Sequence, residues 1–251
     1  MIGDGRGVIQ VTGYGLRNRH EKVHGNETHV GYSPSPLALA CVPVRAPCVL
    51  LGQCWHWSRI SKRKRHGDAA SDMGWKNMSE NLVVIVQARA CGSRMPGKVL
   101  TPLLGQPMIL WQLDRLSRIN MPHALVVACP ASKENEAILA LCDKHGYNCE
   151  LANGIAEDDV LGRYAWIADK YEAEEIVRIC GDCPLIDPEV IESILTMAHG
   201  SKPYDHIGIS AEWPDGQDCE WMTRNALEIA HAEATLPSDR EHVTPFVYRN
   251  T

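Results

Sequence analysis

At 251 residues, with 45% hydrophobic and 22% charged residues, the chain has room for one α/β domain or two small ones and the composition of an ordinary soluble protein. Charge is unevenly divided: 11 Lys and Arg stand against 5 Asp and Glu up to residue 77, and 14 against 26 after it, so a stretch at +6 precedes one at −12. The acidic part argues against nucleic acid as a partner, because non-specific affinity for phosphate backbones needs excess positive charge. The longest apolar patch, residues 37–51, carries Pro43, Arg45 and Pro47 and cannot cross a membrane as a helix.

Residues 1–77 read as a basic, poorly defined N-terminal extension, non-native or disordered. Within it Gly5-Arg6-Gly7-Val8-Ile9-Gln10-Val11-Thr12-Gly13 reads as a strand between glycine turns. These nine residues resemble a cleft motif of family 19 chitinases and phage endolysins. The paired carboxylates that glycoside hydrolysis requires are not evident around them, so a lytic hydrolase remnant is kept only as an alternative. Cys41, Cys48, Cys54 and His56 match no common structural zinc spacing, and Ser61 to His66 is a basic run that reads as a solvated linker. The cysteines, three before Met78 and seven after it, follow no regular framework, which points to free thiols in a reducing, cytoplasmic compartment. Met78 is the natural start of an independent domain, 78–251.

From Leu82 the pattern changes. Val83-Val84-Ile85-Val86 is an uninterrupted β-branched run, the mark of a central strand buried on both faces. It empties into Gln87-Ala88-Arg89-Ala90-Cys91-Gly92-Ser93-Arg94-Met95-Pro96-Gly97-Lys98, where small residues let backbone amides approach an anion and Arg89, Arg94 and Lys98 supply three cations. That combination suits a nucleoside triphosphate. A Walker loop is a poor match, since Val99 stands where the magnesium-holding hydroxyl belongs, and Pro96 with a missing glycine argues against a dinucleotide fingerprint.

Helix and strand then alternate. Pro107 opens a helix with Ile109, Leu113 and Leu116 on one face; Ala124 to Cys129 is a strand; Ser132 caps a helix with Ile138, Leu141 and Cys142 inward and Gly146 at its end. Tyr147 to Leu151 is a third strand, Glu157 to Glu172 a helix, and Ile176 to Cys180 a fourth strand. The order β-α-β-α-β-α-β predicts an α/β, Rossmann-like, doubly wound and mainly parallel sheet, with its site at the carboxyl ends of the strands. At that edge the fourth strand delivers Asp182, a hard oxygen ligand suited to Mg2+ shared with substrate phosphates. Asp187 before Pro188 reads as a helix cap, and Cys180-Gly181-Asp182-Cys183 lacks the helix start of a redox pair.

The loop after the first strand resembles the N-terminal signature of the sugar-activating cytidylyltransferases, of the spore-coat polysaccharide type and the acylneuraminate and KDO type: Gln87-Ala88-Arg89, then Arg94-Met95-Pro96-Gly97-Lys98-Val99-Leu100. Its glycine, Gly92, stands one position later than usual. Asp158-Asp159-Val160-Leu161-Gly162-Arg163-Tyr164, Asp182 to Pro188, Pro214-Asp215-Gly216-Gln217-Asp218 and Arg240-Glu241-His242-Val243-Thr244-Pro245 follow in the family's order. The resemblance implies a nucleotide pocket of Gln87, Ala88, Arg89, Gly92, Ser93, Gly97, Asp159 and Arg163. It makes Arg94, Lys98 and Asp182 catalytic, with Asp182 on the metal, and places Asp215, Asp218, Arg240 and His242 on the sugar side. Its partners would be CTP and a small, acidic sugar, without nucleic acid or membrane, and it admits a homodimer. Family members continue beyond the Arg-Glu-His motif to a later acidic one, so the domain is expected to be incomplete at its C-terminus, and a catalytically inactive nucleotide-binding module is the alternative.

Overall fold

The computed structural model describes residues 7–12, 15–18, 81–92, 95–209 and 213–250. All of them fall in one of the chain's two compact units, the one comprising residues 1–20 and 70–251. Ser93, Arg94, the zinc candidates Cys41, Cys48 and Cys54, and the basic run lie outside the described residues.

The strands are β1 (Gly7–Thr12), β2 (Gly15–Asn18), β3 (Leu82–Gln87), a small hairpin of β4 (Pro102–Leu103) and β5 (Gln106–Pro107), β6 (Ala124–Pro130), β7 (Asn148–Ala152), β8 (Glu175–Cys180), β9 (Tyr204–Ile209) and β10 (Cys219–Thr223). The helices are α1 (Met108–Leu116), α2 (Glu136–His145), α3 (Val160–Lys170), α4 (Pro188–Ala198), α5 (Arg224–Glu233), α6 (Pro237–His242) and α7 (Pro245–Arg249). The main sheet runs β2-β1-β9-β10-β8-β3-β6-β7. Strands β8, β3, β6 and β7 are mutually parallel, while β10 is antiparallel to both of its neighbours, β8 and β9. The strand expected near residues 8–11 is present and pairs in parallel with β9.

The β-branched run of β3 explains why this strand lies in the middle. Alternate side chains enter opposite layers: Leu82, Val84 and Val86 join a core with α1 and α4, whereas Val83 and Ile85 join one with α3 and α5. Tyr164 of α3 is completely buried beneath the sheet, and its hydroxyl reaches the carbonyls of Ile85 on β3 and Ile179 on β8. On the other face Gln112 of α1 donates to the Cys180 carbonyl at 2.6 Å, fixing the last residue of β8.

The predicted helices are all present, with two shifted starts: the second begins at Glu136, after a 3-10 turn at Lys133–Asn135, and Ser132 makes no side-chain capping bond. The third begins at Val160 rather than Glu157, because Asp159 is its cap: the side chain accepts from the Gly162 amide at 2.9 Å. Asp187 caps α4 as expected, accepting from the Glu189 amide at 3.0 Å. The decisive topological fact is that β6 and β7 are added on one side of β3 and β8 on the other. The order of strand addition reverses at that point, so the loops leaving the carboxyl ends of β3 and β8 meet where open α/β sheets bind ligands, and the space between these loops is the crevice.

Candidate active site

Two loops meet at this crevice. The one leaving β3 folds back on itself: the Gly97 amide donates to the Ala90 carbonyl at 2.6 Å, with Gly97 at φ 72°, a left-handed conformation in which a side chain would be strained. Asn135 pins the loop from the 3-10 turn that follows β6. Its Oδ1 accepts from the Ala90 amide at 2.7 Å, and its Nδ2 donates to the Pro130 carbonyl and the Ser132 hydroxyl. Lys98 then begins a short 3-10 turn and points across the crevice.

The loop leaving β8 comes up against β3. The Gly181 amide donates to the Gln87 carbonyl at 2.8 Å, and a Cβ on Gly181 would stand 2.5 Å from that oxygen. Beyond it Asp182 faces Lys98, Nζ to Oδ2 being 3.0 Å, and both side chains are about half exposed, at 47% and 51%. Gln217 braces the loop from outside, accepting from the Asp187 amide at 2.8 Å and donating to the Leu185 carbonyl at 2.9 Å. Cys180 and Cys183 are free thiols. Burial first, then the charges of Cys180, Asp182 and Asp218, push the Cys183 thiol up to about 12, so it is protonated at neutral pH and is no redox nucleophile.

The expected nucleotide residues fall into three groups. Gln87 ends β3 with its Oε1 buried and without a partner among the described residues, and Arg89 makes an exposed pair with Glu157 at 3.3 Å. Gly92 lines an open pocket with Ala90, Cys91, Pro96 and Glu134. Asp159 and Arg163 sit deeper. Arg163 is buried and donates to the Ala156 carbonyl at 2.8 Å, its pKa lowered by burial against the opposing charge of Asp159.

Of the expected sugar-side residues, Arg240 turns to Asp159 and makes a two-pronged contact, Nε to Oδ1 2.9 Å and Nη2 to Oδ2 2.7 Å. Burial opposes the charge on Asp159, but Arg240 and the Gly162 amide outweigh it and hold the carboxyl below its usual value. Asp215 is exposed in a turn, whereas Asp218 and His242 line one cavity together with Arg178, Cys180, Glu220 and Thr244. That cavity opens at the same end of the sheet, since Cys180 closes β8 and Cys219 begins the antiparallel β10. Val243, between His242 and Thr244, has φ 70° and ψ −58°, and the Thr244 amide donates to the His242 carbonyl at 2.8 Å. This is a γ-turn that a β-branched residue adopts only under strain, of order 1–3 kcal/mol, and such strain concentrates at ligand sites.

Asn135, Gln217 and the Arg178–Glu220 pair are the residues that sequence reasoning missed. The last left a trace, a lone charge inside each of two apolar strand segments, Ile-Val-Arg-Ile-Cys and Cys-Glu-Trp-Met. Among the described residues no group of three His, Cys, Asp or Glu could hold a metal by itself. A single exposed carboxylate facing a cationic loop fits a divalent ion that substrate phosphates help to bind, not a preformed protein cage.

Residues 83–251 match the model of the family described as Cytidylyltransferase. Uncharacterized protein MJ1063 of Methanocaldococcus jannaschii is 32% identical over 169 residues, 67% of this chain and 68% of that protein. Spore coat polysaccharide biosynthesis protein SpsF of Bacillus subtilis is 27% identical over 66% of this chain and 70% of its own length. A 3-deoxy-manno-octulosonate cytidylyltransferase of Psychrobacter is 27% identical over 65% of this chain; the match spans 62% of that enzyme. A cytidylyltransferase structure from Leptospira borgpetersenii superposes with a TM-score of 0.64 at 25% identity, covering 68% of this chain and 71% of that one. The winding of the sheet, the loops at its switch point and these likenesses agree: the chain belongs to the cytidylyltransferase family.

Proposed function

We propose that the chain transfers CMP from CTP to a hydroxyl of an acidic sugar, releasing pyrophosphate, in the crevice between the loops after β3 and β8. The observation that carries this reading is the 3.0 Å approach of Lys98 to Asp182 at the switch point. A cation and a carboxylate that are half exposed, with a long 4.0 Å contact from the Cys183 thiol to Asp182 beside their own, can be drawn apart by a ligand carrying the complementary charges. The acceptor is proposed from the relative named for 3-deoxy-manno-octulosonate. Free thiols support a reducing, cytoplasmic setting, and no helix among the described residues is long and apolar enough to cross a membrane.

In this mechanism the acceptor oxygen forms a bond to the α-phosphorus and loses its proton, while the bond from that phosphorus to the bridging oxygen breaks and pyrophosphate leaves. Lys98 and Arg94 stabilise charge on the departing pyrophosphate, and the amides of the loop carrying Gly92 and Gly97 hold the phosphates. Gln87, whose Oε1 has no partner among the described residues, would accept a hydrogen bond from the nucleotide. Asp182 would hold a magnesium ion together with the substrate, and the ion would neutralise phosphate charge. Asn135, Gln112 and Gln217 act by keeping the two loops in position.

The test is magnesium-dependent pyrophosphate release by the full chain with each of the four nucleoside triphosphates and a set of acidic sugars, alongside calorimetric binding of each nucleotide. Binding and release confined to CTP are expected. Equal binding of all four, or none, would overturn the assignment.

A further inference from the structure

Two residues that the resemblance places on different substrates bind each other instead. Asp159, expected beside the nucleotide, and Arg240, expected beside the sugar, join the start of α3 to α6 through their two-pronged contact. The rest of the guanidinium is engaged as well. Its Nη1 donates to the His231 carbonyl of α5 at 2.8 Å and its Nη2 lies 3.3 Å from His231 Nδ1, so all three nitrogens have partners within the protein. Nor is Arg240 among the described residues that line the cavity holding His242 and Thr244.

What Arg240 controls is the turn that follows it. Helix α6 ends at His242, Val243 takes its strained γ-turn conformation, and α7 begins at Pro245. A β-branched residue keeps such a conformation only where the structure on both sides over-determines it. On the far side α7 is anchored: Phe246 and Val247 are buried, and Tyr248 donates at 2.8 Å to Glu220, the carboxylate that Arg178 holds at 2.6 Å. On the near side α6 is six residues long, and its one buried side chain, Asp239, pairs with Arg249 of α7. That pair ties the two short helices to each other. Among the side-chain contacts described for α6, those of Arg240 are the ones that reach α3 and α5.

We infer that Arg240 is a positioning residue: with Asp159 it clamps α6, so that the strained turn at Val243 holds His242 and Thr244 at the cavity, and it does not itself touch the acceptor. The inference rests on the transferase reading above, in which His242 stands on the sugar side. Release of the clamp lets the turn relax and withdraws His242 from the cavity.

The experiment is a double-mutant cycle of Asp159→Asn and Arg240→Gln in the full chain. It reads pyrophosphate release from CTP with 3-deoxy-manno-octulosonate as acceptor, and CTP affinity by calorimetry. Asparagine keeps a side-chain oxygen for the Gly162 amide, so the cap of α3 survives. Each single variant should lower kcat/KM for the acceptor about tenfold or more, the scale of a misplaced group, with a smaller change in CTP affinity. The double variant should lose no more than either single one, because both remove the same contact. Hydrogen exchange at the Val243 amide, which donates to the Asp239 carbonyl at 2.9 Å, should quicken in all three. Wild-type acceptor kinetics in Asp159→Asn, or losses that add in the double variant, would overturn the inference and return Arg240 to the sugar. Where Arg240→Gln fails to fold, the acceptor kinetics of Asp159→Asn decide alone. A wild type that releases no pyrophosphate from CTP would sink the transferase reading instead. Unchanged exchange at Val243 would then overturn the clamp as well, and faster exchange would leave it standing.

Discussion

Two ion pairs at the same end of one sheet behave as opposites. Lys98–Asp182 is about half exposed and supported by no more than a long contact from the Cys183 thiol among the described residues; Arg178–Glu220 is nearly covered, shorter, and supported by the hydroxyls of Thr244 and Tyr248. In water an exposed pair contributes about 0–1 kcal/mol, so either partner can be exchanged for a ligand at little cost. Removing one member of a covered pair leaves an uncompensated charge inside the protein, so such a pair stays together. The crevice therefore combines a pair that a charged ligand can open with a fixed one that lines its neighbouring cavity.

The largest effect should come from breaking the fixed pair. Glu220→Ala is expected to cost about 3–5 kcal/mol of stability, read from urea denaturation, because Arg178 would be left charged and unmatched. A loss under about 1 kcal/mol would erase the contrast. Next in size, Lys98→Ala or Asp182→Asn should reduce turnover about a hundredfold, the scale of one electrostatic stabiliser of a transition state. The same substitutions should change stability by less than about 1 kcal/mol. Near-normal pyrophosphate release by either variant would remove the catalytic role from this pair.

The smallest effect probes an intermediate case. Asp159 is one quarter exposed, caps α3 and grips Arg240, so Asp159→Ala should cost about 1–2 kcal/mol. Its folded pKa lies below the unfolded value of 3.8, so the native state binds fewer protons than the unfolded state between the two. The stabilisation is therefore complete above the unfolded value and lost as pH falls through the folded one. Acid denaturation of wild type and Asp159→Ala should converge over that window, and parallel curves would show that the carboxylate contributes nothing.

Much of this architecture can be read from the residues. The β-branched run at 83–86 marks the central strand, Gly146 and Asp187 mark a helix end and a helix start, and the alternation to Cys180 gives the winding. The loops holding Lys98 and Asp182 follow directly, since each leaves its strand at the carboxyl edge. Alternation says nothing about β10, which enters antiparallel between β8 and β9 and brings Glu220 against Arg178, 42 positions earlier. Pro214-Asp215-Gly216 looks like a site motif and conceals the turn that leads into that strand. Asp159 is hidden for a related reason: a row of acidic residues before an apolar face looks like a first helical turn, and only the bond to the Gly162 amide identifies the cap.

Gly181 sets the width of the crevice by what it lacks. The ends of β3 and β8 are drawn together through its amide on the Gln87 carbonyl, at a separation that leaves no room for even a methyl group. Any side chain there would act as a wedge between the two central strands and carry Asp182 away from Lys98. The spacing that the two charged loops need thus depends on a residue with no chemistry of its own.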